Sequence, residues 1–243
     1  MLLPPRERSP AVICLYLQAP FGVFRTFMSG SFRPTAGFIS PSAAYGLLLN
    51  VAGIEMRHDD GVSPMSLTSK DLPPLELALG ALDWPGPIRH TLFQQLHNYP
   101  VGNTGKERAP QTKGNKYNIV PVRREFLSGI RACICARGNP ELEKQILGGL
   151  AGTRPRAYGL PFLGDNNFLI DRLEPLDGPT PAHWLQKVQE GEESNDKSDL
   201  VNVMRLTIRI DRADLSRTQS ALFRPSEKLP DPPHASWIEV KCK

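Results

Sequence analysis

Residues 12–54 read VICLYLQAPFGVFRTFMSGSFRPTAGFISPSAAYGLLLNVAGI. Val12 to Leu17 is an apolar run of strand length, predicted as a central strand buried on both faces. Ala19-Pro20-Phe21-Gly22 reads as a turn. Phe21, Phe24 and Phe27 recur at three-residue spacing around Arg25, mixing core anchors with a basic surface position. A helix is predicted over Pro41–Val51. Ser40 is its N-cap, Pro41 suits the first turn, and Gly53 suits the stop. Ala43, Ala44, Leu47, Leu48 and Val51 form its predicted buried stripe.

Outward from this unit, residues 57–87 read as irregular, with five prolines. Within them, Leu75 to Leu82 is a strand or a helical turn. Ile88 to Tyr99 and Tyr117 to Cys135 are strand-rich. The polar, Gly-rich stretch between them makes a long hairpin with an exposed tip. Pro140 to Leu150 is a second helix, with Asn139 as N-cap and Glu141 and Glu143 at the positive end of its dipole. Phe168 to Ile170 suggests a strand. Residues 174–199 read as a loop with one short helix around Trp184, ending in an acidic surface stretch. Val201 to Ile210 is the best late strand, and Trp237 to Val240 a closing one. This order predicts an α+β domain of ferredoxin-like type.

The chain has 243 residues, 40% of them hydrophobic, which supports a real core and argues against wholesale disorder. Its 24 prolines argue for many turns and loops instead of a helical bundle. A net charge of +4 is only mildly basic, but the distribution is uneven. Residues 88–137 hold nine basic side chains (Arg89, Lys106, Arg108, Lys113, Lys116, Arg123, Arg124, Arg131 and Arg137) against Glu107 and Glu125. The segment is an electrostatic footprint for a polyanion.

Cys14, Cys133, Cys135 and Cys242 fit no zinc spacing, so free, largely buried thiols and a reducing, cytoplasmic location are expected. MLLPPRERSP at the start reads as no signal peptide, and no stretch approaches the ~18 apolar residues of a membrane span. Among His58, His90, His97, His183 and His234 no paired-histidine or HExxH pattern occurs, and GxSxG is absent. No metal and no cofactor are expected.

Three places combine cations with aromatic or glycine residues suited to RNA, where phosphates take cationic side chains and splayed bases take aromatic faces. The first is Phe24 and Arg25. The second is the hairpin, with Arg89, Lys106, Arg108, Lys113, Lys116, Tyr117, Arg123 and Arg124. The third is the glycine-rich run 148–158, where open backbone N–H groups lie beside Arg154, Arg156 and Tyr158.

The stretches LYLQAPFGVFRT, PSAAYGLLLNVAG, GGLAGTR and YGLPFLGDNNFLID resemble those of the RAMP superfamily. They look most like the Cascade subunit Cas-five, in the DevS-like branch of type I-B and related CRISPR systems. The resemblance is strongest over residues 12–54 and 145–172. It implies a ferredoxin-like core over residues 1–173, with a thumb hairpin at about 88–135, and a loop-and-strand extension over 174–243. It also implies a scaffold that caps the 5′ handle of the crRNA and abuts the backbone and large subunits, with target DNA read by base pairing. Some relatives instead cleave precursor crRNA without metal, using a Tyr with Lys and His. Tyr45, His90, His97 and Lys116 are the residues that could take those roles. Lys116 is followed by Tyr117, not His, so that pattern is incomplete.

Overall fold

The computed structural model describes residues 12–26, 32–62, 66–97, 119–156, 159–189 and 202–241. They fold as α+β, mostly antiparallel sheet with two helices. In chain order the elements are β1 (Val12–Gly22), β2 (Phe32–Arg33), α1 (Pro41–Val51), β3 (Arg57–His58), β4 (Leu67–Thr68) and β5 (Leu75–Ala81). Then come β6 (Ile88–His97), β7 (Ile119–Arg137), α2 (Pro140–Leu150) and β8 (Arg172–Pro175). The C-terminal strands are β9 (Ala182–Lys187), β10 (Met204–Arg209), β11 (Gln219–Leu229) and β12 (Ile238–Val240).

The main sheet runs β10-β11-β9-β5-β7-β1-β8, and β12 shares the outer edge of β5. At the centre, β8, β1, β7 and β5 lie side by side, each antiparallel to its neighbour. α1 connects β1 to β5, and α2 connects β7 to β8. The helices cover one face with a core that includes Leu15, Leu17, Leu48, Leu77, Ile134 and Ile146. Burying one such side chain is worth ~1.5–3 kcal/mol. The opposite face carries a second cluster of Ala78, Cys133, Cys135, Ala182 and Trp184. Residues of β7 alternate between the two clusters, as a strand covered on both faces requires.

Both helices begin as the sequence predicts. Ser40 Oγ accepts from the Ala43 amide at 3.3 Å, and Asn139 Oδ1 accepts from the Leu142 amide at 3.0 Å. Ala44, Leu47, Leu48 and Val51 are buried as expected, while Ala43 is only half-buried. Glu143 is buried, and desolvation pushes its carboxyl pKa up against the backbone N–H groups of Asn139 and Gly138.

The structure departs from the sequence reading at several elements. Ala19 to Gly22 is not a turn, because β1 continues through it, paired with β7 as far as Gly22↔Leu127. Phe168 to Ile170 forms no strand. It contributes one bridge, Phe162↔Leu169, and the strand follows at β8. Trp184 lies in strand β9, not in a helix, where its indole N–H donates to the Leu229 carbonyl at 3.0 Å and its ring lies against Gly80. β11 was not expected at all. Leu75 to Ala81 resolves as a strand, and the closing strand sits at β12.

The expectation of free thiols is also corrected. Cys14 and Cys135 are register partners across β1 and β7, 4.1 Å apart at Cα, and are joined as a disulfide. Cys133 remains a buried thiol whose pKa desolvation pushes up to about 11. Cys242 lies outside the described residues. No described helix is long and apolar enough to cross a membrane.

The glycine-rich end of α2 is a packing device. A Cβ on Gly149 would collide with the Val51 carbonyl at the end of α1, so only glycine lets the two helices approach this closely. Gly149→Ala should therefore destabilise the protein by ~1–3 kcal/mol through overpacking. Gly159→Ala, with nothing near its Cβ, should stay within ~0.5 kcal/mol of wild type. Chemical denaturation of the two variants checks this.

Candidate nucleic-acid interface

β7 is long enough to serve two environments. Its C-terminal half pairs with β1 and β5 inside the core, and its N-terminal half pairs with β6 along Ile88↔Ser128 to His97↔Ile119. β6 and β7 thus form an arm that leads into the basic segment of residues 98–118. Lys106, Arg108, Lys113, Lys116 and Tyr117 lie in that segment, outside the described residues, and Tyr158, elsewhere in the chain, lies outside them too. His97 ends β6, and its side chain is likewise outside the description.

At the root of the arm, β2 lies parallel to β7 and pairs Phe32 with Arg123 and Arg33 with Arg124. Neighbouring residues of a strand face opposite sides, so Arg123 and Arg124 serve different surfaces. The Arg123 guanidinium stacks over the Phe32 ring, 5.4 Å from its centroid. Arg124 forms an ion pair with Asp165 at 2.5 Å, donates to the Gln94 side-chain oxygen at 2.9 Å, and sits over the Phe168 ring.

Arg124 belongs to a cluster of guanidinium groups. Arg25 bridges to Thr35 beside β2, and Arg57 lies on β3. Arg212 donates from Nε to the Ser66 carbonyl at 2.6 Å, next to β4, which pairs with β3. The Arg25 pKa is lowered by desolvation, then by Arg124, Arg33 and Arg57, with Asp165 opposing. The Arg212 pKa is lowered by desolvation, then by Arg57 and Arg25. Arg25 thus lies within electrostatic reach of Arg33, Arg57 and Arg124, and Arg212 within reach of Arg25 and Arg57, while Asp165 neutralises the half-buried Arg124. Bringing guanidinium groups together while partly desolvating them is unfavourable until an anion arrives.

The other predicted residues divide. Arg25, Arg123 and Arg156 reach solvent. Phe24 does not, since it is 3% exposed inside the core, so it offers no stacking face. Arg89 is paired with Glu125 at 3.2 Å, and Glu125 also accepts from the Thr35 amide. Arg154 is half-buried and donates to the Ala52 carbonyl, where it caps the end of α1. Tyr45 is 2% exposed, and its hydroxyl donates to the Pro73 carbonyl at 2.6 Å. His90 is exposed, hydrogen-bonded to Ser128 Oγ at 2.7 Å and stacked on Phe126. The structure thus places Tyr45 in the core, because α1 turns that face inward. No group of three His, Cys, Asp or Glu that could hold a metal occurs among the described residues.

Sequence reasoning missed Arg33, Arg57, Arg212, Phe32 and Phe93. Arg33 and Phe32 lay inside the opening stretch, in the FRP that follows the Ser/Gly loop. Arg57 and Arg212 carry no local signal, since they meet only through the tertiary fold. Phe93 lay in the strand-rich segment Ile88 to Tyr99, where the pattern alone does not tell which side chains stay in solvent.

No family model matches the chain, and no curated protein matches it. A chain of a solved structure described as a "CRISPR RNA-guided surveillance complex" is similar in fold. The TM-score is 0.54 at 17% identity, over 92% of this chain and 95% of that one. The two chains share a fold. Another structure, described as "Crystal structure of Cas protein", aligns over 91% of this chain and 100% of that one, with a TM-score of 0.43 and 14% identity.

Asp165 gives the cluster a pH signature. Burial works against its charge, but the Asn167 amide and the Arg124 guanidinium prevail and hold its pKa below the usual carboxylate value. A lowered folded pKa contributes stability above the unfolded pKa of ~3.9, and that contribution is lost as pH falls through the folded value. The melting-temperature gap between wild type and Asp165→Asn should be widest above ~pH 4 and close at lower pH.

Proposed function

We propose that this protein is a Cas-five-type subunit of a CRISPR Cascade complex that binds and caps the 5′ handle of the crRNA. In this reading residues 1–173 are a ferredoxin-like RAMP core with a thumb hairpin at about 88–135, and residues 174–243 are an extension packed on it. The observation that carries the proposal is the arm. A two-stranded ribbon grows directly out of the central strand β7, leads into four cations (Lys106, Arg108, Lys113 and Lys116), and is flanked at its root by the arginine cluster. The order β8-β1-β7-β5 with a helix in each crossover is that expected of a ferredoxin-like fold. The similarity in fold to a chain of a surveillance complex adds support.

The mechanism is architectural. Arg25, Arg33, Arg57 and Arg212 take phosphates at the root of the arm, and the hairpin cations continue the track. Like-charge repulsion within the cluster is relieved as each phosphate binds. The subunit then abuts the backbone and large subunits and sets the end from which the guide pairs with target DNA. The endoribonuclease alternative draws no support from the geometry, because Tyr45 is committed inside the core.

Labelled precursor RNA should bind the purified protein in the presence of chelator. Log affinity should fall against log salt with a slope of about −3 to −5, for ~5–7 phosphate contacts on a single strand. Lys113→Glu with Lys116→Glu should weaken binding and flatten that slope. Chelator-resistant cutting at one position would favour the nuclease instead.

A further inference from the structure

Three strands meet side by side at the root of the arm, and one row across them is unlike the rest. Phe32 of β2, Arg123 of β7 and Phe93 of β6 are mutual register partners, Phe32↔Arg123 and Phe93↔Arg123. Register partners project from the same face of a sheet with Cβ atoms ~5 Å apart. The row therefore presents aromatic, guanidinium and aromatic groups in sequence on one surface. Phe93 is 79% exposed, more than any other described phenylalanine. A phenylalanine in mid-strand ordinarily packs, and leaving its ring in water forgoes ~1.5–3 kcal/mol of burial. Arg123 is exposed and its guanidinium is held over Phe32. The carboxylate two residues along, Glu125, is engaged by Arg89 and the Thr35 amide.

We infer that this row is a base-stacking platform for single-stranded RNA, with Phe93 taking the face of one unpaired base and Arg123 the phosphate beside it. Phe32 is a positioning residue that holds the guanidinium in place. The chemistry is that of other single-strand binders, where an aromatic face accepts any base and a neighbouring cation tracks the backbone. The platform lies on the opposite face of β7 from Arg124 and its cluster, so it adds a contact that the phosphate track does not supply. The inference rests on the RNA-binding reading above.

The test uses the full chain and two fluorescein-labelled probes, an oligoadenylate and a ribose-phosphate strand of the same length without bases. Wild type should prefer the oligoadenylate by about 5- to 150-fold, the equivalent of the ~1–3 kcal/mol of one stacked base. Phe93→Ala should abolish that preference without altering the salt slope, because an uncharged ring releases no counterions. Phe93→Trp should keep the preference and Phe93→Leu should lose it. Matched melting curves would show that the variants fold, as expected for an exposed side chain. Equal binding of both probes by wild type, or full preference in Phe93→Ala or Phe93→Leu, would overturn the platform and leave the handle-binding reading standing. Failure of wild type to bind either probe or the precursor RNA would overturn both.

Discussion

Everything in this molecule hangs on the hydrogen-bond ladder of β7. Along Ala132 to Ala136 the strand is buried on both faces and paired on both edges, by β1 and β5. Along Ile119 to Phe126 it keeps β6 on one edge and only the two residues of β2 on the other. The pairing with β1 passes over Pro20 and Gly129, and Gly129 takes the left-handed backbone at φ 70 that favours glycine. One continuous strand thus couples a close-packed core to a solvent-facing arm. The direction of the arm is inherited from the core and not left to a flexible joint.

The electrostatics follow from that geometry. β2 brings Arg33 beside Arg124, the Arg25–Thr35 bridge brings a third guanidinium, and Arg212 grips the loop before β4 near Arg57. Asp165 offsets part of this charge through Arg124. The remainder lowers the pKa of Arg25 and Arg212 together with desolvation. Holding these guanidinium groups close together and partly desolvated costs free energy, which an anion placed among them would offset.

The C-terminal strands show where sequence patterns lose force. AHWLQK around Trp184 has a length and composition that a short helix also accepts, and only its pairing with β5 and β11 makes it a strand. β11 contains Pro225 and several polar residues, and its register shifts between Pro225 and Lys228, so it lacks the alternation by which a strand is recognised. Cys14 and Cys135 are 121 residues apart, and nothing but strand register sets them opposite each other.

What the chain alone determined is local. Both helices were legible, because a capping side chain, a proline at the first turn and a periodic apolar stripe act within a few residues. The strands β6 and β7 and the basic bias of residues 88–137 were legible for the same reason, whereas Leu75 to Ala81 read equally as a strand or a helical turn until its pairing with β7, β9 and β12 decided it. Tertiary structure decided which side chains are available. It sent Phe24, Tyr45 and Arg154 to structural work, left Phe93 in solvent, and gathered Arg25, Arg33, Arg57, Arg124 and Arg212 from five separate positions. Exposure and charge clustering depend on which strands become neighbours, and that is settled by the energy of the whole packed sheet, not by any segment of it.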